Sequence, residues 1–427
     1  MENGHFEKAE NVREVIKYLQ KFKNTLAVIY IDDKIIESPL FSSHIHDIAL
    51  IHEAGLKVII IPGARRRIDD VLTSAKIDWT YKNNIRVTSN EAMTFIKMAA
   101  FDVSNEVMTN LAANHINALI GNWVRSRGIG ILDGFDFGTA GEIDKLQINA
   151  INKVLDEGFV PIFPCIGWNS VGRPYNISSI TLAQKVAMEL KAEKLFFLMD
   201  SNGINPKLKN IPAMNISEVE TFLNETSDST YATRNVLKLA VKACENGVKR
   251  AHILDGNIDG ALPCEIFSDL GSGTMIYTSN YGNIREMNIN DIPEVLSLMR
   301  PFVENGKLLP RTEEKLKTDY RDYVVYSVDG SIHGCAALHF YDDGQAEIAA
   351  VAVDNRFENM GVGPGLINYL FERAKKKNVS KIFILTTQAG DWFESLGFKK
   401  SELNTLPPAR RKICSPERNS KVYRKNI

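Results

Sequence analysis

The chain has 427 residues, of which 44% are apolar and 24% charged, which is too long for one ordinary core and implies two or three globular domains. A formal net charge of -1 gives no reason to expect nucleic acid or a membrane surface as partner. No apolar run approaches a membrane span, the N-terminus MENGHFEKAENVREV has no apolar leader region, and the five scattered cysteines read as reduced thiols rather than disulfides or a metal site, so a cytoplasmic, metal-free chain is expected.

In chain order, residues 11–22 (NVREVIKYLQKF) place Val12, Val15, Tyr18, Leu19 and Phe22 on one helical face that needs a covering surface. From Leu26 onward strand-like runs (LAVIYI, KVIIIPG, FVPIFPCIG, KLFFLMD) alternate with helical segments. That rhythm predicts an α/β domain with a mainly parallel sheet covered by helices on both faces. It ends at the polar stretch SNYGNIREM (residues 279–287), where a second domain is expected to begin.

The second domain centres on residues 347–371. VVYSVDGSIHGCAALHFYDDGQAEIAAVAV reads as three strands joined by hairpin turns at Asp329-Gly330 and Asp342-Asp343-Gly344. DNRFENMGVGPG follows, and then a helix with Leu366, Ile367, Leu370, Phe371 and Ala374 on one face. Gly361, Gly363 and Gly365 let backbone amides and a helix N-terminus approach an anion, so the loop is a candidate pyrophosphate cradle. A dinucleotide fold has a similar loop, but it requires βαβ units and an acidic residue after the next strand. Here an antiparallel meander feeds the loop, and the next strand ends in Thr386-Thr387-Gln388.

Meander, glycine loop and WFESLGF (residues 392–398) together resemble the GNAT acetyltransferases. The resemblance implies an α+β domain binding acetyl-CoA through Val351, Val353, Asn359, Met360, Gly361, Val362, Gly363 and Gly365, with loop amides from Asn359 to Gly365 on the pyrophosphate. The first loop position, usually Gln or Arg in that family, is Glu358 here, and Asp391 replaces the usual His before Trp-Phe. Upstream, KVIIIPGAR, NIRVT, GNW, RPYNIS and LMDSNGI resemble the amino acid kinase fold, an αβα sandwich. The whole arrangement resembles the bacterial N-acetylglutamate synthase family, with an N-terminal helix (1–22), a kinase-like regulatory domain (23–280) and a GNAT domain (284–427).

Three departures from the kinase pattern argue against phosphoryl transfer. Tyr30-Ile31-Asp32-Asp33 stands where Lys-x-Gly-Gly would grip phosphates, Ile180 replaces an organising aspartate, and Gly63-Ala64-Arg65 replaces Gly-Gly-Gly. The family further implies an L-arginine effector site at His252, Glu265 and Gly271, whose types suit a cationic amino acid; taken singly, His252 also reads as a satisfied core histidine and Glu265 as a surface residue. It implies L-glutamate held by Leu309 and Arg311 of LLPR and by Arg418 and Ser420 of ERNSK, and a ring-like hexamer. For catalysis Glu347 is the candidate base and the Val353 amide, at the strand end where these enzymes splay, the oxyanion donor. The implied activity is acetyl transfer from acetyl-CoA to L-glutamate, the first step of arginine synthesis. Two alternatives stay open: another acyl-CoA or acidic amine as substrate, or an arginine-binding regulatory protein with an inactive transferase domain.

Overall fold

The computed structural model describes residues 15–16, 19–20 and 22–427, apart from 201, 203, 227–228, 268–270, 279–281, 329, 359–360 and 414–417. Most of the expected helix over 11–22, Val12 and Tyr18 included, therefore lies outside the described residues, as do Asn359 and Met360. The chain divides into two compact units, 1–279 and 280–427. Among the described residues no helix is long and apolar enough to cross a membrane.

The first unit is built on strands β1 (Leu26–Ile31), β2 (Lys57–Pro62), β3 (Ala118–Ile120), β4 (Val160–Ile162), β5 (Lys194–Met199), β6 (Ala213–Asn215), β7 (Arg250–Asp255) and β8 (Thr274–Tyr277). They form one sheet in the order β6-β8-β7-β5-β1-β2-β4-β3. Only β7 and β8 pair antiparallel in it; the other neighbours are parallel. Both faces are buried, which explains runs such as KVIIIP with no polar alternation. Ala27, Ile29 and Ile31 pack with helices α1 (Phe41–Glu53), α2 (Arg65–Ser74) and α3 (Asn90–Ala113) on one face, while Val28 and Tyr30 pack with α4 (Ser179–Glu189) and α5 (Tyr231–Glu245) on the other. A second, four-stranded sheet joins Val124–Gly128, Gly141–Leu146, Ile166–Trp168 and Pro174–Asn176.

The second unit is a seven-stranded sheet of β9 (Asn283–Glu286), β10 (Tyr323–Val328), β11 (Ser331–Phe340), β12 (Gln345–Val353), β13 (Lys381–Thr386), β14 (Lys399–Ser401) and β15 (Lys421–Asn426), in the order β9-β10-β11-β12-β13-β15-β14. The β10–β11–β12 meander is antiparallel, and β12 pairs parallel with β13. Helix α6 (Val362–Lys376) buries Leu366, Ile367, Leu370, Phe371 and Ala374 against one face. Helices α7 (Ile292–Glu304) and α8 (Glu313–Asp319) cover the other.

Candidate active site and effector site

β12 and β13 hold the key to the second unit, because they pair only at Gln345 with Lys381, Ala346 with Ile382 and Glu347 with Phe383. Beyond Glu347 both strands continue without pairing to each other, and a wedge opens between them. The separation thus begins at Glu347 rather than at Val353, six residues upstream of the point read from the sequence. Ala350 adopts a left-handed φ of 52°, and the β11–β12 register shifts there, the signature of a β-bulge. The extra residue flips the alternation: Ala346 and Ile348 face α6 before it, Val351 and Val353 after it. Glu347 therefore points to the opposite face. The Asp354 amide donates to His333 O at 2.9 Å, and alternate amides of a strand share an edge. The amides of Val351 and Val353 consequently point away from β11, into the wedge.

The glycine loop leads from that wedge into α6. Gly361, at φ 72°, is the left-handed N-cap that glycine adopts without strain, and no side chain caps the helix. The amides of Val362 and Gly363 precede the first intrahelical bond and have no helical partner, and Pro364 has no N–H. Gly365 is different from the sequence expectation: its amide donates to Gly361 O at 2.9 Å and is spent inside the helix. Its missing side chain serves packing instead, since a Cβ there would lie 3.1 Å from Ile284 Cδ1. The cradle that remains suits a pyrophosphate, with two free amides at the positive end of a fifteen-residue helix.

On the Glu347 face three guanidinium groups gather. Arg410 donates from Nε to Glu347 Oε2 at 2.6 Å and from Nη2 to Oε1 at 3.0 Å, and the Tyr341 hydroxyl donates to Oε2 at 2.9 Å. Glu347 is 5% exposed, so it is a buried, paired carboxylate rather than a surface one. Arg311 donates to the carbonyls of Leu309 and Pro310 at 3.3 and 3.4 Å, and Arg418 to Lys307 O at 2.9 Å. That last bond ties the segment before β15 to the loop between α7 and α8. Burial, then the neighbouring charges of Arg311 and Arg410, pull the Arg418 pKa below the usual guanidinium value. Among the described residues, these three cations and one carboxylate leave an excess of two positive charges. The Leu309 side chain is 46% exposed, so what it offers the cluster is its carbonyl, and Ser420 is half-buried just before β15. Arg410 and Tyr341 were not singled out from the sequence; PPARRK reads as a solvated basic run, and nothing in it marks which cation turns inward.

In the first unit the strand ends after β1 and β2 are filled by the protein itself. Asp33 Oδ2 accepts the Arg66 amide at 2.8 Å in the first turn of α2, where a phosphate would otherwise meet a helix N-terminus. Lys34 pairs with Asp200 at 2.7 Å. Burial, and next the adjacent Asp33 charge, push the Asp32 carboxyl up to about 7. A helix terminus already occupied by an acidic side chain offers a polyphosphate no free amide grip there.

His252, Glu265 and Gly271 come together where β7 meets a short helix, Ala261–Ile266. His252 Nδ1 lies 2.6 Å from Glu265 Oε1 with both side chains 3% exposed, and Glu265 Oε2 accepts the Gly273 amide at 2.9 Å. A Cβ on Gly271 would sit 1.8 Å from Glu265 Oε2, so only glycine fits beside the carboxylate. Burial lowers the His252 pKa against the pull of Glu265. Burial raises that of Glu265, but the His252 bond and charge, the Gly273 amide and Lys194 outweigh it and the net shift is downward. The two directions agree on a neutral imidazole donating Nδ1–H to an ionised carboxylate. Nε2 is then a bare lone pair, buried and without a hydrogen-bond partner among the described residues, and its ring stacks on Phe196 at 4.8 Å. A carboxylate beside an unshared imidazole nitrogen is an acceptor site for an N–H-rich cation. Lys194, buried under the Phe22 ring at 4.2 Å, is a further charge in the field of this pair that the sequence did not reveal.

Comparison with known proteins agrees with both units. The amino acid kinase family matches residues 27–255 and the acetyltransferase (GNAT) family residues 290–398. An amino-acid acetyltransferase of Vibrio vulnificus is 33% identical over 428 aligned residues, covering 96% of each chain, and that of Escherichia coli is 31% identical with 97% of each covered. N-acetylglutamate synthase from Neisseria gonorrhoeae, solved with coenzyme A and L-arginine, superposes with a TM-score of 0.81 at 29% identity, over 98% of this chain and 99% of that one. The same organism's synthase complexed with coenzyme A and N-acetyl-glutamate gives 0.62 at 30% identity, with the same coverage. Sequence identity along nearly the full length and the same pair of domains lead to one conclusion: the chain belongs to the amino-acid acetyltransferase family, joining an amino acid kinase domain to a GNAT acetyltransferase domain.

Proposed function

We propose that the chain makes N-acetyl-L-glutamate from acetyl-CoA and L-glutamate, the first step of arginine synthesis, and that L-arginine restrains it through the kinase-like unit. The observation that carries the first half is the arginine cluster around Glu347. Glutamate with its reacting amine neutral has two negative charges, which match the cluster's two excess positive ones. Acetyl-CoA would enter the wedge between β12 and β13 with its pyrophosphate on the amides of Val362 and Gly363, preceded by Asn359, Met360 and Gly361. The amine then attacks the thioester carbonyl, the C–N bond forms, and its proton goes to Glu347. The Val353 amide stabilises the oxyanion until the C–S bond breaks and CoA thiolate leaves. Arg311, Arg418, the Leu309 carbonyl and Ser420 hold the substrate's carboxylates and orient it.

CoA release from acetyl-CoA should require L-glutamate and yield N-acetylglutamate by mass spectrometry; equal rates with L-glutamine would overturn the charge argument. Arg418→Ala should weaken glutamate binding by about 1.5–3 kcal/mol, the worth of a hydrogen bond to a charged group, seen as a raised KM with little change in that for acetyl-CoA.

The kinase-like unit acts in this reading as a binding module, with Asp33 occupying the helix terminus a phosphate would need. No ADP should form from ATP, magnesium and N-acetylglutamate, as followed by coupled spectroscopy; ADP formation above a no-enzyme control would replace this reading with a bifunctional one. A homo-oligomer, hexameric by family resemblance, in the cytoplasm completes the proposal, and light scattering tests the subunit count.

A further inference from the structure

Acetyl transfer to glutamate has to dispose of two protons. The α-amino group of the substrate is an ammonium at neutral pH, with three hydrogens, and the amide nitrogen of the product keeps one. Glu347 can take one of the two that leave. A second acceptor is therefore needed to make the amine neutral before it attacks.

The second sheet sets a candidate beside Glu347. His339 on β11 stands directly opposite Glu347 on β12 in the pairing register, which puts their Cβ atoms about 5 Å apart. Leu338, Ala346 and Ile348 face α6 and Ala337 faces α7 and α8, so strand alternation leaves His339 and Glu347 together on the α7 side. Asp322, just before β10, holds the imidazole: its Oδ2 accepts from His339 Nδ1 at 2.8 Å. The Tyr323 ring packs edge-on to it at 6.2 Å and 78°. With Nδ1–H given to the carboxylate, Nε2 carries the lone pair. Among the described residues nothing hydrogen-bonds that nitrogen. The His339 and Asp322 side chains are 24% and 36% exposed, so a proton received there has a way out to water.

We infer that His339 is a second proton acceptor of the active site: its Nε2 takes the first proton from the ammonium of bound glutamate, while Asp322 orients the ring and balances the imidazolium charge that forms. This rests on the proposed reaction and deepens it. The neutral amine then attacks the thioester carbonyl, the C–N bond forms, the second proton goes to Glu347, and the C–S bond breaks. Each acceptor releases its proton to water and the departing thiolate takes one back. One proton is set free per turnover.

His339→Ala in the full chain tests the assignment. Its kcat/KM for glutamate should fall about 10²-fold at neutral pH, the lower end of a positioned base's contribution, with the KM for acetyl-CoA unchanged. Two readouts separate proton transfer from lost packing. Added imidazole should restore part of the rate, and the deficit should shrink as pH rises and the dissolved amine becomes neutral without help. Asp322→Asn keeps the shape but removes the charge, and should give the same pattern with a smaller loss; it carries the test if the alanine variant does not fold. A folded variant with the wild-type rate at neutral pH, or with a deficit that neither imidazole nor alkaline pH reduces, overturns the inference. The two readings fail differently: absence of glutamate-dependent CoA release by the wild-type chain removes the reaction itself, whereas wild-type release with an unaffected His339→Ala removes only the second acceptor.

Discussion

Turnover of Glu347→Gln is expected to fall about 10²- to 10⁴-fold, the usual contribution of a positioned general base, while acetyl-CoA still binds. The two effects separate because Glu347 lies between Ala346 and Ile348, which face α6, and so points to the opposite face of β12 from the helix whose N-terminal amides form the cradle. Calorimetric titration with CoA should accordingly match the wild type. The substitution keeps the side chain's shape and one carbonyl acceptor for Arg410 or Tyr341, but removes the charge that balances Arg410. Deleting one partner of a buried ion pair costs about 3–5 kcal/mol, and the retained acceptor offsets part of it. A lowered melting temperature with intact CoA binding is thus the expected accompaniment. Turnover within about threefold of wild type, far short of a general-base effect, would mean that the amine loses its proton to another group.

Much of this architecture is legible in the sequence for definite physical reasons. Strands buried on both faces of a parallel sheet must be apolar throughout, so KVIIIP and KLFFLM stand out of the chain, and the Asp-Gly turns announce the meander before the glycine loop. The His252, Glu265 and Gly271 spacing is readable because the three lie within one strand, one short helix and the turn that follows. Arg410 is hidden for the opposite reason: it stands 63 residues from Glu347, and one inward cation among Arg410, Arg411 and Lys412 has no local signature. Lys194 opens β5, a place where lysine is ordinarily solvated, yet it is buried with the Phe22 ring over its ammonium. The wedge, too, depends on pairing register rather than composition. Nothing in AEIAAVAV shows that β13 leaves β12 after Glu347, or that Ala350 carries a bulge.

L-Arginine is expected to inhibit the wild-type chain, and Glu265→Ala to abolish the response while leaving turnover without arginine nearly unchanged. The effect must be a coupling between two sites on different units, for which about 1–3 kcal/mol, or roughly 5- to 150-fold in affinity, is typical. Glu265 supplies a carboxylate hydrogen-bonded to His252, and together with Nε2 it would form the acceptor face for the guanidinium or ammonium group. Gly271→Ala should give the same loss of response without removing either acceptor, because its Cβ would meet Glu265 Oε2 at 1.8 Å. Acidification supplies a third route. Both His252 and Glu265 have folded pKa values below their unfolded ones, so the unfolded chain takes up these protons first. The stability this pair contributes is complete above the unfolded histidine value of about 6.5 and is lost as pH falls through the folded values. Arginine binding, which needs the bare Nε2 and the ionised carboxylate, should persist at pH 7 and fade over the same acidic range. Calorimetry on the full chain tests all three routes; undiminished arginine binding by Glu265→Ala would place the effector elsewhere. Competition in the glutamate pocket is the alternative location, and there Arg311, Arg410 and Arg418 would repel the guanidinium.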